Sequence, residues 1–260
     1  MVRGTPVEGT PDKVALTRAF WNANPCDGQA SYAERAQFRY RKDPWLLGVL
    51  DEIAGVHRNI LEVGCGQGTD GLTLCGKLHP GSKYIGVDLS DESLARARAA
   101  RGELAEQLNV EPVFQLENAE RLSFGDGQFD CVLSIGALHH SVGVERAIAE
   151  AGRVLAPGGV AYVALYRRAS PKVLGAHALR GVQRAVDTAL HTQSSLYRGA
   201  RALGMGDRYG TAIYECFGVP VLRSYTRDGM LRLFREFSSV ELSAHGRRGP
   251  GYLWLARAVK

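Results

Sequence analysis

The sequence predicts an α/β fold in which a doubly wound, mostly parallel sheet carries an inserted helical cap. A chain of 260 residues suits one α/β domain with an elaboration better than two full domains. Short apolar runs alternate with longer amphipathic segments, which is typical of parallel strands joined by right-handed helical crossovers. The alternation stops after Leu165 and resumes near Arg227, which indicates an insertion.

Strands are predicted where the apolar runs are nearly continuous, because a strand covered on both faces has no polar side. Five such runs lie at residues 60–63, 83–87, 113–116, 131–135 and 160–165, and two more at 240–243 and 252–259. The amphipathic patterns between them predict helices at 70–78, 91–108, 145–154 and 227–237. Ser90 is placed to cap the second of these helices, and Asp91 and Glu92 suit its first turn. The sheet is therefore predicted to have seven strands.

Four segments follow from this pattern. Residues 1–58 are expected to form a leader and a helical cover, and residues 59–166 the core of the sheet. Residues 167–223 are expected to form a substrate cap, because long ordered insertions in compact domains are usually lids or binding loops. Residues 224–260 are expected to form the last helix and the last strands of the core.

The predicted cap is both amphipathic and basic. One face of a helix within it carries four apolar residues, Leu179, Val182, Val186 and Leu190. Residues 167–235 carry 12 Lys/Arg against 4 Asp/Glu, a net charge of +8, whereas residues 1–166 carry 16 against 21, or −5. Such a local field could attract an anionic substrate, a nucleic acid or an acidic membrane surface.

Composition excludes several classes of protein. Hydrophobic residues at 45% and charged residues at 23% rule out global disorder, and the 31 glycines have no collagen-like period. No apolar run reaches the ~18 to 20 residues that span a bilayer, and the first residues lack the apolar stretch of a secretion signal, so a cytoplasmic protein without membrane insertion is expected. Five cysteines without a C-x-x-C pair predict reduced thiols and no structural metal.

A glycine-rich turn follows the first predicted strand and can be interpreted in two ways. Gly66, Gly68 and Gly71 spell G-x-G-x-x-G, with Asp88 at the end of the second strand, as in dinucleotide-binding folds. The same stretch also spells E-x-G-x-G-x-G, beginning at Glu62. In either case, glycines at a strand-to-helix turn let the backbone pass close beneath a nucleoside ligand.

The second spelling resembles the class I S-adenosylmethionine-dependent methyltransferases, whose fold is Rossmann-like. The resemblance continues in order through YIGVDLS, ENAERLSF, FDCVLSIGALHH and RVLAPGG, and spans roughly residues 59–165. It points to the type 11 (UbiE-like) group. The segments WNANPCDG, FRYRKDPWL and ALYRR are similar to a natural-product subgroup with an Asn-Pro-Cys motif near the N-terminus.

This resemblance implies S-adenosylmethionine as the cofactor and assigns residues to its parts. Asp88 would accept hydrogen bonds from the ribose diol, Asn118 would replace the usual acid at the adenine amine, and Arg39 could pair with the methionine carboxylate. Glu120 is the alternative to Asn118. The other residues implied in cofactor binding are Glu62, Gly64, Cys65, Gly66, Gly68, Leu89, Ala119, Ser134, Ile135 and Gly136.

The acceptor is expected to be a small molecule, anionic or carrier-linked, methylated at oxygen, nitrogen or carbon. His139 and His140 stand where cofactor and substrate should meet, and either could act as a general base. Trp21, Tyr40, Tyr166 and Arg167 are the candidate substrate-binding residues. Nucleic acid is not expected as a partner, because few aromatic residues accompany the arginines, and a homodimer is one option for the assembly.

Other functions fit the same residues. An S-adenosylmethionine-binding enzyme that steers a cyclisation or pericyclic reaction would have the same cofactor site. A nicotinamide oxidoreductase is disfavoured because a second nucleotide-binding half is missing. A non-catalytic protein that binds membrane surfaces through the basic helix is a further alternative.

Overall fold

A single sheet organises the protein in the computed structural model, which describes residues 12–26, 31–205, 216–246 and 251–260. Within these residues, seven strands are hydrogen-bonded side by side. They are β1 Asn59–Val63, β2 Lys83–Asp88, β3 Val113–Leu116, β4 Phe129–Ile135, β5 Leu155–Tyr166, β6 Ser239–His245 and β7 Leu253–Val259. Their order across the sheet is β3-β2-β1-β4-β5-β7-β6. Strands β1 to β5 are parallel, and β7 runs antiparallel to both of its neighbours. The predicted fold class is confirmed.

Helices surround this sheet and extend beyond it at the N-terminus and in the cap. In the described residues they include α1 Lys13–Ala23, α2 Tyr32–Lys42, α3 Trp45–Val56, α4 Thr69–Cys75, α5 Asp91–Glu103, α6 Val144–Val154, α7 Pro171–Ala189, α8 Ser195–Ala202 and α9 Arg227–Leu233. Ser90 caps α5 as predicted, its hydroxyl accepting a hydrogen bond from the Ser93 backbone at 3.1 Å. Helix α5 ends earlier than predicted, at Glu103, directly after Gly102, because glycine is a poor helix former.

The core consists of two apolar layers, one on each face of the sheet. Helices α3, α4 and α5 contribute Leu50, Leu72 and Leu94 to one layer, and α6 and α9 contribute Ile148 and Met230 to the other. All five side chains are almost fully buried. Covering both faces explains why the strands read as continuous apolar runs rather than as alternating patterns.

The cap contains the predicted amphipathic helix, α7, but its apolar side faces solvent. The residues of α7 that are buried against the body are Val173, Ala176 and Gln183. By contrast, Leu179 and Val182 are 39% and 54% exposed. The body therefore packs against a face with mixed polarity. Within the part of the chain that the structure describes, no helix has both the length and the apolar character needed to cross a membrane.

Candidate active site

The glycine-rich turn after β1 has a backbone that only glycine adopts easily. Gly64, Gly66 and Gly68 have φ angles of +78°, +53° and +75°, in the left-handed region that is unfavourable for other residues. The backbone N–H groups of Gly64 and Cys65 donate to the Val87 carbonyl at 2.7 and 3.0 Å. These bonds fix the turn against the end of β2.

An open cleft lies above this turn. Among the residues that the structure describes, a Cβ atom placed on Gly66 would meet nothing within 4 Å, and the same holds for Gly136, which follows β4. Strands β1 and β4 are neighbours at the point where the strand order reverses. Ligands of open α/β sheets bind at such a switch point, outside the carboxyl ends of the strands.

Asp88 joins the turn to the end of β2. Its Oδ2 atom accepts from the Gly66 backbone N–H at 2.8 Å, and its Oδ1 atom accepts from the Ser90 backbone N–H at 2.8 Å. Burial raises the pKa of the Asp88 carboxyl, and these backbone donors oppose that rise. Each carboxylate oxygen has a further lone pair, so both can still accept a ligand hydroxyl.

The segment after β3 contains Asn118 and Ala119, which were predicted to contact adenine, and the alternative residue Glu120. The Asn118 side chain accepts from the Glu120 backbone N–H at 2.9 Å and so closes a turn. The Glu120 carboxylate itself accepts from the Gly143 N–H at 2.7 Å and pairs with Arg146. Glu120 is thus engaged at the start of α6.

Ser134 is placed differently from the prediction that it lines the cofactor. The residue has no exposed surface, and its hydroxyl donates to the Val63 carbonyl at 2.8 Å. It therefore ties β4 to β1 beneath the cleft. Its neighbours Ile135 and Gly136 lie closer to the open side, with Ile135 8% exposed.

A buried polar network lies beneath the glycine-rich turn. Tyr84 donates from its hydroxyl to the Glu62 carboxyl, which is 4% exposed. Arg39 pairs with Asp70 at 2.6 Å, and the Tyr40 hydroxyl donates to the same carboxylate at 3.1 Å. Arg39 thus pairs with Asp70, whereas the sequence suggested that it pairs with the carboxylate of a ligand. It also moves Tyr40 from the substrate side to the cofactor turn, because α2 packs against α4.

Replacing Arg39 by Met should destabilise the fold by about 3 kcal/mol, because it leaves the Asp70 carboxylate buried without its cation. The side chains of Arg39 and Asp70 are only 18% and 6% exposed. Urea unfolding of Arg39→Met, Asp70→Asn and the double variant measures their coupling. Lys77→Met is the matched control, since its pair with Asp51 is 37% and 61% exposed and should contribute under about 1 kcal/mol. If the effects of Arg39→Met and Asp70→Asn on the unfolding free energy were strictly additive, the two side chains would not interact as a buried ion pair.

The network also predicts a pH dependence of stability. Burial, followed by the charge of Asp70, raises the pKa of Glu62 to about 8 from a usual value of 4.5. Because the folded value is the higher one, the contribution of this carboxyl is complete below the unfolded pKa and is lost as the pH rises through the folded pKa. Between these values the unfolding free energy should therefore fall with rising pH.

Glu62→Gln should remove that fall, because the amide cannot ionise but still accepts from Tyr84. Relative to this variant, the natural protein should lose on the order of 4 kcal/mol between about pH 5 and pH 8.5, as measured by urea unfolding. Glu103→Gln, at an exposed position at the end of α5, is the control and should not alter the slope. Parallel curves for Glu62→Gln and the natural protein would show that Glu62 is ionised in the fold throughout.

An aromatic wall stands at the carboxyl ends of β4 and β5. We use this name for Trp21, His140, His139, Tyr166 and Tyr252. Consecutive ring centroids are 5.0, 4.3, 3.7 and 6.2 Å apart in that order. Four residues singled out in the sequence, Trp21, His139, His140 and Tyr166, thus lie in one cluster of rings. Tyr252 of the C-terminal part extends this cluster.

The two histidines of the wall have different surroundings. His139 is fully buried, and neither ring nitrogen has a hydrogen-bond partner in the described part of the chain. Burial lowers the pKa of His139 well below its usual value, so the ring is neutral near pH 7. The His140 Nδ1 atom lies 2.9 Å from the Val221 carbonyl. A carbonyl only accepts, so Nδ1 carries the proton and Nε2 is the basic nitrogen of the neutral ring.

The Arg167 side chain, predicted to bind substrate, is engaged by the C-terminal part of the chain. Its Nη1 atom donates to the Gly251 carbonyl at 3.2 Å, and the guanidinium lies over the Trp254 ring at 5.4 Å. The reason is that residues after β5 continue beside β7, whose register opposite β5 places Trp254 there.

The N-terminal cover and the cap meet near the cleft. Asn22 of α1 accepts from the Ser90 hydroxyl at 2.8 Å, beside Asp88. Asn24, just after α1, donates to the Tyr197 hydroxyl of α8 at 3.1 Å. Sequence reasoning missed Asn22, Tyr197 and also Asp70. The position of Asp70 in the first turn after the glycines is a usable signal, whereas the other two depend on contacts between distant segments.

Comparison with known families agrees with this geometry. Residues 61–163 match the family model of the type 11 methyltransferase domain. A demethylmenaquinone methyltransferase of Symbiobacterium thermophilum is 36% identical over 103 residues, which cover 39% of each chain. A phthiotriol/phenolphthiotriol dimycocerosates methyltransferase of Mycobacterium tuberculosis is 36% identical over 104 residues, which cover 39% of this chain and 35% of that protein. The chain spans about a third of the length of the curated relatives it matches.

Solved structures extend the likeness of the fold to nearly the whole chain. The magnesium protoporphyrin IX methyltransferase of Synechocystis PCC 6803, solved with S-adenosylhomocysteine, has a TM-score of 0.61. The match covers 96% of this chain and all of that one, at 14% identity. The match to the methyltransferase domain thus covers residues 61–163, and the solved structure shows that the fold is shared over nearly the whole chain.

Proposed function

We propose that this protein transfers a methyl group from S-adenosylmethionine to a small molecule bound against the aromatic wall. The observation that carries this proposal is the position of Asp88, hydrogen-bonded to the N–H of a glycine whose other side is open to the cleft. A nucleoside with a charged side arm fits this combination, since the carboxylate suits a diol and the bare backbone suits the arm.

The residues of the cleft fit S-adenosylmethionine part by part. Gly64 to Gly68 would lie beneath the methionine portion, and Asp88 would hold the ribose. Leu89 and Asn118 with Ala119 would contact the adenine. When bound, this group supplies an electrophilic methyl carbon on a sulfonium. The role of the protein is then to align the acceptor with that carbon and to exclude water.

The aromatic wall supports an acceptor with a flat or apolar body. His140 would accept a proton through Nε2 where the attacking group is a hydroxyl or a protonated amine. Neutral, buried His139 would support the wall by stacking on the Tyr166 ring rather than remove a proton. Relatives with names that specify small-molecule substrates support this class of acceptor, and the Asn-Pro-Cys likeness supports a place in a biosynthetic pathway.

Calorimetry with S-adenosylmethionine, S-adenosylhomocysteine and NAD tests the cofactor directly, and heat is expected with the first two only. Transfer of a labelled methyl group is then measured on a panel of phenols, quinols and amines, with Asp88→Ala as the inactive reference. Product and S-adenosylhomocysteine should appear in equal amounts. Product without S-adenosylhomocysteine would instead indicate a reaction that uses the fold without methyl transfer, and heat with NAD alone would overturn the proposal.

A further inference from the structure

Helix α7 carries an apolar surface that the rest of the described chain leaves exposed. We call Leu174, Leu179, Val182 and Leu190 the outer face of the cap. Their exposed fractions are 54%, 39%, 54% and 63%. At 1.5 Å per residue, these positions extend over about 24 Å. Globular proteins rarely leave an apolar helix face of this size in water without a partner.

The charge around the outer face indicates what that partner is. Residues 167–205 contain seven basic side chains and one acidic one. The acidic one, Asp187, accepts from the backbone N–H groups of Ser194 and Ser195 at 2.8 and 2.9 Å and so stabilises the start of α8. Five of the basic residues are exposed, namely Arg168, Lys172, Arg184, Arg198 and Arg201, whereas Arg167 and Arg180 are half-buried. The cap is therefore strongly cationic around an apolar face.

A second copy of the chain suits this surface poorly, because two such caps face to face would repel each other. An anionic lipid bilayer suits it well. Phosphate headgroups attract arginine, and apolar side chains enter the boundary between headgroups and acyl chains.

We propose that the outer face of the cap docks this protein on the surface of an anionic lipid bilayer. Helix α7 begins five residues after Tyr166, and the Lys172 ammonium is 5.1 Å from the Tyr166 ring. Docking therefore brings the aromatic wall near the lipid surface, where an acceptor with an apolar tail could reach it. This last step rests on the proposed function, whereas the docking itself does not.

Vesicle flotation with the full chain tests the proposal, without methyl donor or acceptor present. Vesicles of phosphatidylcholine with phosphatidylglycerol should bind the protein, and vesicles of phosphatidylcholine alone should not. Binding should weaken when salt rises from about 0.1 M to 0.5 M, because screening shortens the range of the charge attraction. The double variant Arg184→Glu with Arg198→Glu should also bind the anionic vesicles more weakly.

Leu174→Ser with Val182→Ser should lower the partition coefficient about tenfold, because two apolar side chains no longer enter the bilayer. Val56→Ser with Val113→Ser is the matched control, since these residues are 67% and 44% exposed but lie outside the cap. Melting curves of both variants confirm folding. Equal binding of the two double variants, or no binding to the anionic vesicles, would overturn the proposal. The proposal would also be overturned if light scattering showed that the natural protein is a dimer and that the double variant Leu174→Ser with Val182→Ser is a monomer.

Discussion

Asp88→Ala should weaken the binding of S-adenosylhomocysteine by about 100-fold or more. Each hydrogen bond from a ribose hydroxyl to a carboxylate contributes about 1.5 to 3 kcal/mol, and the variant removes both acceptors. It also leaves the N–H groups of Gly66 and Ser90 without their partner, so the turn itself loses its attachment to β2. Isothermal calorimetry at matched pH measures the loss.

Two further variants separate loss of the ligand contact from loss of the turn. Asp88→Asn retains one oxygen acceptor and should bind with intermediate affinity. Asp51→Ala removes an exposed carboxylate on α3 that pairs with Lys77, and should bind like the natural protein. Thermal melts without ligand show how far each variant has weakened the fold. An unchanged affinity in Asp88→Ala would remove the basis for a nucleoside site at this edge of the sheet.

The sheet could be predicted well because its information is local. Each of the first five strands is a short apolar run, and burial on both faces produces that run wherever the strand lies. The turn at Gly64 to Gly68 was equally visible, because positive φ angles at three alternate positions require glycine there. Strand ends and ligand loops are close in sequence in this fold, so Asp88 could be placed as well.

The side chains of the N-terminal segment could not be assigned in the same way. Arg39 and Tyr40 look like ligand contacts until α2 is packed against α4, where Asp70 takes both of them. The partner is 31 residues away from Arg39, and no periodicity connects them. Similarly, Arg167 became a neighbour of Trp254 only through the antiparallel pairing of β5 with β7.

The orientation of α7 could not be predicted from the sequence either. A pattern of apolar residues at helical spacing indicates that a face exists, but not which surface covers it. Burial of Gln183 with exposure of Val182 and Leu190 shows that the body packs against a different face. A face turned outward in this way is information about partners of the protein rather than about its core.

The second large effect is expected from Gly64→Ala, which should lower stability by about 3 kcal/mol or more. A Cβ atom at this position would lie 2.2 Å from the Cβ of Ala137, and the φ angle of +78° adds strain. Overpacking costs about 1 to 3 kcal/mol and the left-handed conformation about 1 to 2. For a chain of this size, the melting temperature should fall by roughly 6 to 12 °C.

Gly66→Ala is the informative comparison because its Cβ has open space within 4 Å. It should cost only about 1 kcal/mol of stability, yet weaken S-adenosylhomocysteine binding at least tenfold, since the new methyl group occupies the cleft. Gly48→Ala, inside α3 with equal space around it, should instead stabilise the fold by about 0.5 to 1 kcal/mol and leave binding unchanged. If Gly66→Ala bound the ligand like the natural protein, the methionine arm could not lie over this turn. A stability loss in Gly64→Ala no larger than in Gly66→Ala would in turn show that the Ala137 loop moves aside, and that the turn is held by Asp88 rather than by close packing.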